Sequence, residues 1–223
     1  MTTREEVLAG QGFVELIDSV GNDLSVTRAA RVSYGGDLTE RESAKEKRLI
    51  RYLLTNRHTS PFEHVHFTFH VKAPIFVARQ WMRHRTWSYN EISARYVELE
   101  DDLYYPEHWR MQAEHNKQMS DGEAPLWVEA TSDQRYNDAI TLCWSTYQDM
   151  LGNGVSREMA RMVLPVSTFT RFYGTVNLKN LMDFLSLRDH GHAQHEIREY
   201  AQAMRRLVEP IVPMAMEVYD ANA

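Results

Sequence analysis

The eight residues from His64 to Val71 constrain the architecture of this chain more than any other stretch. Val65, Phe67, Phe69 and Val71 alternate there with His64, His66, Thr68 and His70. Strict period two sends successive side chains to opposite faces of an extended backbone, so this is a strand with one apolar face and three histidines sharing the other. Such a strand is stable only inside a sheet whose apolar side is covered, which demands further strands and a packed layer of helices.

The rest of the chain supplies both. Phe13 to Val20 predicts a strand, Gly21-Asn22 a turn, and Val26, Ala29 and Ala30 a short helix. From Glu40 to Asn56 a charged run gives way to Leu49, Ile50, Leu53 and Leu54 at helical spacing, an amphipathic helix with a solvated first half. Pro74 suits the first residue of a helix through Ile75, Ala78 and Met82 that ends at Arg83-His84-Arg85, and a second extended segment is expected from Ser93 to Leu99. Residues 101 to 132 are polar and aromatic without a period, and are expected to form an irregular excursion, the most mobile part of the chain. Helices are predicted over 133 to 151 and 155 to 164, a strand over Phe169 to Val176, and helices over Asn177 to Leu187 and Ala193 to Leu207, with Pro210 and Pro213 breaking the tail. With no internal repeat, the expectation is a single α+β domain over residues 1–223, an antiparallel or mixed sheet with a helix-rich second half.

Composition narrows the function classes. A hydrophobic fraction of 43% with 25% charged residues over 223 positions excludes disordered and fibrous chains. The formal net charge of -6 gives no broad positive field, so no nucleic-acid partner is expected and any anion site must be a local cluster. No stretch approaches the roughly 18 to 20 apolar residues of a spanning helix, and Met1 to Glu6 lacks a signal-peptide core, so a cytoplasmic protein without a membrane partner is expected. The one cysteine, Cys143, can make neither an intramolecular disulfide nor a cysteine-based zinc site. It shares a helical face with Tyr136, Ile140 and Tyr147, and reads as a small buried hydrophobe rather than a nucleophile.

Three segments carry chemistry. Between Gln80 and Tyr96, a helix would put Gln80 on one face with Arg83 and His84, and an extended end would align Glu91, Ser93 and Arg95. Guanidinium, imidazole, carboxylate and hydroxyl groups gathered in this way suit a planar, hydrogen-bonding ligand that carries phosphate. Two arginines around a histidine also complement a helix C-terminus when simply solvated, so local chemistry leaves both readings open. In His58-Thr59-Ser60-Pro61-Phe62-Glu63-His64, Ser60 reads as an N-cap, Pro61 as the first helical residue and Glu63 as the capping-box partner; such a start can bind anions, though caps are commonly only structural. From Asn177 to Glu196, polar Asn177, Lys179, Asp183 and Arg188 flank an apolar stripe and lead to His190, His192 and His195. Those histidines invite a metal reading, but no spacing matches a zinc-protease helix, and no metal ligands are assigned. No GxGxxG follows a strand and no GxxxxGK[ST] occurs, so a nucleotide site here must be built from arginines and helix ends.

Arg83-His84-Arg85 followed by Ser93, within RHRTWSYNEISARY, resembles the RHRx7S signature of the flavin-dependent thymidylate synthases. The resemblance extends through Arg28-Ala29-Ala30-Arg31-Val32-Ser33, SPFEH, FTFHVKAPIFVARQWMRHR, REMARMVLP, TVNLKNLMDFLSLR and HAQHEI, from about residue 13 to 207. It implies reductive methylation of dUMP to dTMP, with 5,10-methylenetetrahydrofolate as one-carbon donor, tightly bound FAD as mediator and NADPH as reductant. It also implies a homotetramer whose active sites are shared between subunits. A flavin route needs no cysteine to add to the uracil ring, in keeping with the reading of Cys143.

The same resemblance assigns residues. Ser33, His58, Ser60, Arg83, His84, Arg85, Glu91, Asn177, Leu178, Lys179, Asp183 and His192 match flavin-binding positions, His58 and Ser60 acting from a neighbouring subunit. Asp183 stands where the family often has asparagine. Gln80, Trp81, Met82, Arg83, Glu91, Ile92, Ser93, Ala94, Arg95, Arg161 and Arg188 match dUMP-binding positions. Arg188 matches the arginine whose fixed charge activates the pyrimidine, while Ser93 binds and orients rather than attacks, since no His–Asp relay is evident. The alternatives are a non-catalytic nucleotide-binding homologue that has lost flavin chemistry and a histidine-rich metal protein.

Overall fold

A computed structural model describes residues 3–35, 43–117 and 119–221. In chain order its first half forms β1 (Arg4–Val7), β2 (Gly12–Val20), α1 (Asp23–Val32), α2 (Ser43–Thr55), a 3-10 turn (Ser60–His64), β3 (His66–Pro74), α3 (Ile75–Trp81) and β4 (Ser88–Glu91). There follow β5 (Arg110–Gln112), β6 (Ser120–Glu123), α4 (Leu126–Gly152), α5 (Arg157–Ala160), a 3-10 turn (Arg161–Val163), β7 (Phe169–Asn177), α6 (Leu178–Arg188), α7 (His195–Val208) and α8 (Pro213–Asp220). The main sheet has the order β1-β2-β3-β7-β4 with every neighbouring pair antiparallel, and β5-β6 is a separate hairpin. The α+β class, the antiparallel sheet and the helix-rich second half expected from the sequence are all present.

The alternation in β3 sets the register of the sheet. Phe67, Phe69 and Val71 lie opposite Val176, Gly174 and Phe172, and all six positions are turned to the buried side. Gly174 is needed there because the Trp87 indole lies on it: a Cβ on Gly174 would stand 3.2 Å from Trp87 Cε3. Above the sheet, α3, α6 and α7 converge on Trp81, whose indole stacks on Phe184 at 5.0 Å and meets Phe172, Trp87 and Tyr200 edge-on. This aromatic cluster ties sheet to helices and fixes where α3 ends.

Several boundaries depart from the sequence reading, each for a local reason. Asn22 is not merely part of a turn but caps α1 in a capping box with Ser25. The helix expected from Glu40 begins in the described residues at Ser43; positions 40–42 lie outside them. At Ser60 the cap is Thr59 and no side-chain cap bond forms, so the expected capping box gives way to a tight 3-10 turn with Pro61 buried. His64 therefore ends that turn instead of joining the strand, while His70 is packed between Phe13 and Tyr173. Pro74 ends β3 and precedes α3, and α3 stops at Trp81, so Arg83, His84 and Arg85 leave the helix and follow in turns.

The extended segment lies earlier than expected. β4 covers Ser88–Glu91, and 93–97 closes into a turn in which the Tyr96 and Val97 amides both donate to the Ser93 carbonyl. Glu91, Ser93 and Arg95 thus do not share a strand face. Segment 101–132 is not irregular throughout: it holds the β5-β6 hairpin and the start of α4. The predicted helix over 155–164 is two short pieces, and Pro213, expected to break the tail, instead starts α8. The N-terminus of α8 is capped from a distance, since buried Asp23 accepts hydrogen bonds from the Met214 and Ala215 amides at 2.8 and 2.9 Å. Cys143 is partly exposed, because Ile140 and Tyr147 alone take the deep positions of its helical face. Among the described residues no helix is long and apolar enough to cross a membrane.

Candidate active site

Arg188 is the last residue of α6 and points across to the turn that follows α3. Its Nε donates to His84 Nε2 at 3.1 Å and its Nη2 donates to the Gln80 carbonyl at 3.4 Å. Only a neutral imidazole can accept that bond, and the electrostatics agree: burial foremost, then the Arg188 charge, hold His84 below the ordinary histidine value, with Asp183 opposing. Burial also lowers Arg188 from its usual value, the signature of a guanidinium partly removed from water. The His84 ring packs edge-on against Phe184 at 4.9 Å.

The turn that carries His84 is held from the sheet. Tyr89, on β4, directs its hydroxyl at the carbonyls of Trp81 and His84, both at 3.1 Å. Sequence reasoning did not single out Tyr89. Its signal is present only as an aromatic two residues after Trp87 in a strand, a pattern that fits packing equally well.

Around Arg188 opens a cavity of about 690 Å³, lined by Gln80, Leu187, Arg188, His190, His192 and Gln194 among others. It brings together two substrate candidates, Gln80 and Arg188, with one cofactor candidate, His192. The His190 and His192 rings stack at 4.7 Å, and His192 Nδ1 lies 2.9 Å from Met119 Sδ of the hairpin region. His195 pairs with Glu199 along α7. Among the described residues no group of three or more His, Cys, Asp or Glu side chains is arranged to hold a metal ion.

A second pocket, of about 350 Å³, gathers Ser33, His58 and Ser60 with Arg31, Tyr52 and Pro61. Three cofactor candidates from two separate segments thus meet in one place, because α1 and α2 pack together through the buried ion pair of Arg31 with Glu46 at 2.6 Å. His58 meets the Tyr52 ring edge-on at 5.8 Å.

The remaining candidates are distributed more widely. Asn177 caps α6 by accepting from the Asn180 amide at 2.9 Å, and Lys179 pairs with Asp183 one turn along the same helix. Leu178 and Trp81 are fully buried, so only their backbone groups can face a ligand. Met82 is the C-cap of α3, and Arg83 and Arg85 are exposed beside it. Glu91 accepts from Thr170 Oγ1 at 2.6 Å, and the Ile92 amide extends the ladder to the Arg171 carbonyl at 2.9 Å. In the turn beyond, the Arg95 amide donates to Ser93 Oγ at 3.3 Å, with Ala94 between them, and Arg95 reaches Glu158, one turn before Arg161, at 3.7 Å. Among the described residues, neither of the two cavities above gathers all of these groups.

Sequence reasoning also missed a buried carboxylate. Glu196, at the start of α7, is 2% exposed and accepts from Arg110 of β5 at 2.5 Å and from Gln194 at 2.8 Å. The Tyr104 hydroxyl donates to it as well, at 3.2 Å.

Fold and site together define an α+β protein with a cavity lined by an arginine, two amides and two histidines, carried on turns and helix ends. The comparisons with known proteins make this specific. A family model described as thymidylate synthase complementing protein matches residues 15–214. The flavin-dependent thymidylate synthase of Thermus thermophilus is 51% identical over 213 residues, covering 95% of this chain and 77% of that protein. That of Thermotoga neapolitana is 46% identical over 209 residues, covering 94% and 91%. Among solved structures, a UMP/dUMP methylase from Streptomyces cacaoi bound with 5-Br dUMP superposes with a TM-score of 0.87 at 39% identity, covering 94% of this chain and 95% of that one. The chain belongs to the flavin-dependent thymidylate synthase family.

Proposed function

We propose that the protein methylates dUMP to dTMP, taking the one-carbon unit from 5,10-methylenetetrahydrofolate and reducing equivalents from NADPH through tightly bound FAD. The observation that carries this reading is the Arg188 guanidinium fixed by a neutral His84 and the Gln80 carbonyl at a cavity of about 690 Å³. A cation held there favours negative charge on a pyrimidine ring and so raises the nucleophilicity of its C5 toward a one-carbon donor. No side chain needs to add to the ring, and Cys143 lies on α4, outside the residues that line this cavity.

The donor set also fits a flavin dinucleotide. Exposed Arg83 and Arg85, the Ser60 hydroxyl at the start of a 3-10 turn and the partly exposed Lys179 offer the cations and donors that a diphosphate requires. Ser33, His58, Ser60, Arg83, His84, Arg85, Glu91, Asn177, Leu178, Lys179, Asp183 and His192 are the residues that would hold it. When bound, the flavin supplies two-electron transfer between reductant and one-carbon unit. Gln80, Arg83, Glu91, Ser93, Arg95, Arg161 and Arg188 would hold dUMP, with the backbone of Trp81, Met82, Ile92 and Ala94 beside them.

These groups line more than one cavity of a single chain, which supports a homotetramer that completes its active sites from neighbouring subunits. Exposed Leu126, Trp127 and Leu142 on α4, with Met159, Met162 and Val166 beyond it, form apolar surface suited to such contacts. The reading places the protein in the cytoplasm as a single domain.

Visible absorption of the purified protein, followed anaerobically, tests the proposal. Flavin bands that bleach with NADPH and return as dTMP forms on addition of dUMP and methylenetetrahydrofolate are expected. A protein that binds dUMP but takes up no flavin would overturn it.

A further inference from the structure

Behind the cavity runs a short chain of amides that ends on the buried carboxylate of Glu196. Gln194 donates through Nε2 to Glu196 Oε2 at 2.8 Å, and Gln80 donates through Nε2 to Gln194 Oε1. Gln80 and Gln194 both line the cavity, whereas Glu196 is 2% exposed and does not.

The polarity of this chain follows from one chemical fact. An ionised carboxylate only accepts hydrogen bonds, so the amide that meets it must present its NH₂. Arg110 at 2.5 Å and the Gln194 amide favour the ionised form, and Glu196 is held below the ordinary carboxylate value although burial opposes this. With its NH₂ turned to Glu196, Gln194 presents its oxygen on the side that meets Gln80. Gln80 must then give its own NH₂, which leaves Gln80 Oε1 as the free end, without a protein partner among the described residues.

We infer that Glu196 and Gln194 are positioning residues that lock the Gln80 amide with its oxygen toward the bound nucleotide, so that the site selects a ligand offering a hydrogen-bond donor there. On a uridylate that donor is either the ring imide N–H or a sugar hydroxyl. A cytosine ring, whose N3 is an acceptor, is refused if the imide is the group read. The cost of misorientation is the cost of an unpaired buried polar group, which is what makes such a lock selective. The inference rests on the dUMP reading above.

The test uses the full-length, flavin-loaded protein with dUMP. Turnover of dUMP by the unmodified protein checks the functional reading, and the dUMP Kd, expected to change in each variant in step with KM, tests the amide chain whether or not turnover is seen. In Glu196→Gln the donor-only Arg110 keeps the new amide's oxygen, so its NH₂ faces Gln194 and the polarity of the chain reverses, turning the Gln80 NH₂ toward the nucleotide. The KM for dUMP is expected to rise about tenfold, with kcat changed less and flavin content unchanged. Exchanging the two groups, Glu196→Gln with Gln194→Glu, puts the acceptor-only group against Gln80 and is expected to restore most of the KM. Arg110 remains without its carboxylate partner at position 196 in both variants, so a merely structural role for Glu196 predicts no rescue. Should Glu196→Gln fail to fold, Gln194→Leu breaks the chain while keeping the pair of Glu196 with Arg110, and the same rise in KM is expected.

N3-methyl-dUMP and 3′-deoxy-dUMP then identify the donor. One of the two is expected to bind the unmodified protein weakly and to suffer no further loss from Glu196→Gln. An unchanged dUMP KM in Glu196→Gln and Gln194→Leu, failure of the exchange to rescue, or an equal further loss for both analogues would overturn the inference.

Discussion

The Nε of Arg188 and the Nε2 of His84 are joined by one hydrogen bond of 3.1 Å, and its direction requires the imidazole to be neutral. Arg188 adds to burial, the larger cause, in keeping His84 unprotonated, and His84 holds the guanidinium in place. Replacing Arg188 by alanine should leave flavin bound while dTMP formation falls by at least about a hundredfold, the scale for losing a group that stabilises developing charge. With the Arg188 charge removed, His84 should move up toward 6.5, which a histidine NMR titration reads directly. Normal turnover in this variant would remove Arg188 from its role.

The same pair sets a pH dependence. The His84 value is lower in the folded protein than in the unfolded chain, so the unfolded chain takes up the proton first as pH falls. The contribution of His84 to stability is therefore complete above 6.5 and declines as pH drops from there toward the folded value. Urea unfolding midpoints compared between the protein and His84→Gln should converge or cross on acidification. A constant difference across that window would contradict the assignment.

Cys143 offers a check on the nucleophile question. It is a partly exposed thiol on α4, without a place in the cavity that holds Arg188. Cys143→Ala should change kcat by less than about twofold, in the range of surface substitutions. Loss of activity in that variant would favour covalent chemistry at sulfur.

Trp81 separates core from site. Its indole is fully buried and its Nε1 has no hydrogen-bond partner, so Trp81→Phe removes packing but no bond. The expected result is a loss of about 1 to 3 kcal/mol in denaturant unfolding with the dUMP KM within about twofold. A large rise in KM at unchanged stability would make the Trp81 side chain a substrate contact.

The ion pair of Arg31 with Glu46 joins α1 to α2 beneath the pocket of Ser33, His58 and Ser60, with the Glu46 side chain wholly buried. Glu46→Ala leaves a nearly buried arginine uncompensated and should cost about 3 to 5 kcal/mol, with weaker flavin retention as the pocket loosens. Replacing both partners by apolar residues, Arg31→Met with Glu46→Leu, should recover most of the stability. Equal losses in the single and double variants would mean that packing, not charge, holds the two helices.

How much of this was legible in the sequence depends on the range of the interaction that decides it. The period-two run of β3, the apolar stripe of α6 and the amphipathic α7 are local patterns, and each appears where its spacing predicts, to within a few residues. The ends of α3 and the nature of the turn at Ser60 were misread because they are set by contacts with distant residues. Trp81 stops α3 in an aromatic cluster drawn from four segments, and Tyr89 holds the following turn from the sheet. Pro213 was read as a breaker because the cap that turns it into a helix start, Asp23, lies far away in the chain.

Residue types and their short-range spacing determined that this chain builds an α+β fold around a one-faced strand, and that arginine, histidine and amide groups near residues 80 to 95 and 177 to 196 carry its chemistry. Only the tertiary structure decided that Arg188 meets His84, that three loop residues share one pocket, and that a buried glutamate governs which end of Gln80 faces the cavity. The physical reason is the same in each case. A hydrogen bond or ion pair between residues about a hundred positions apart leaves no periodic trace in the sequence, and it exists only once burial has removed the water that would otherwise satisfy both partners.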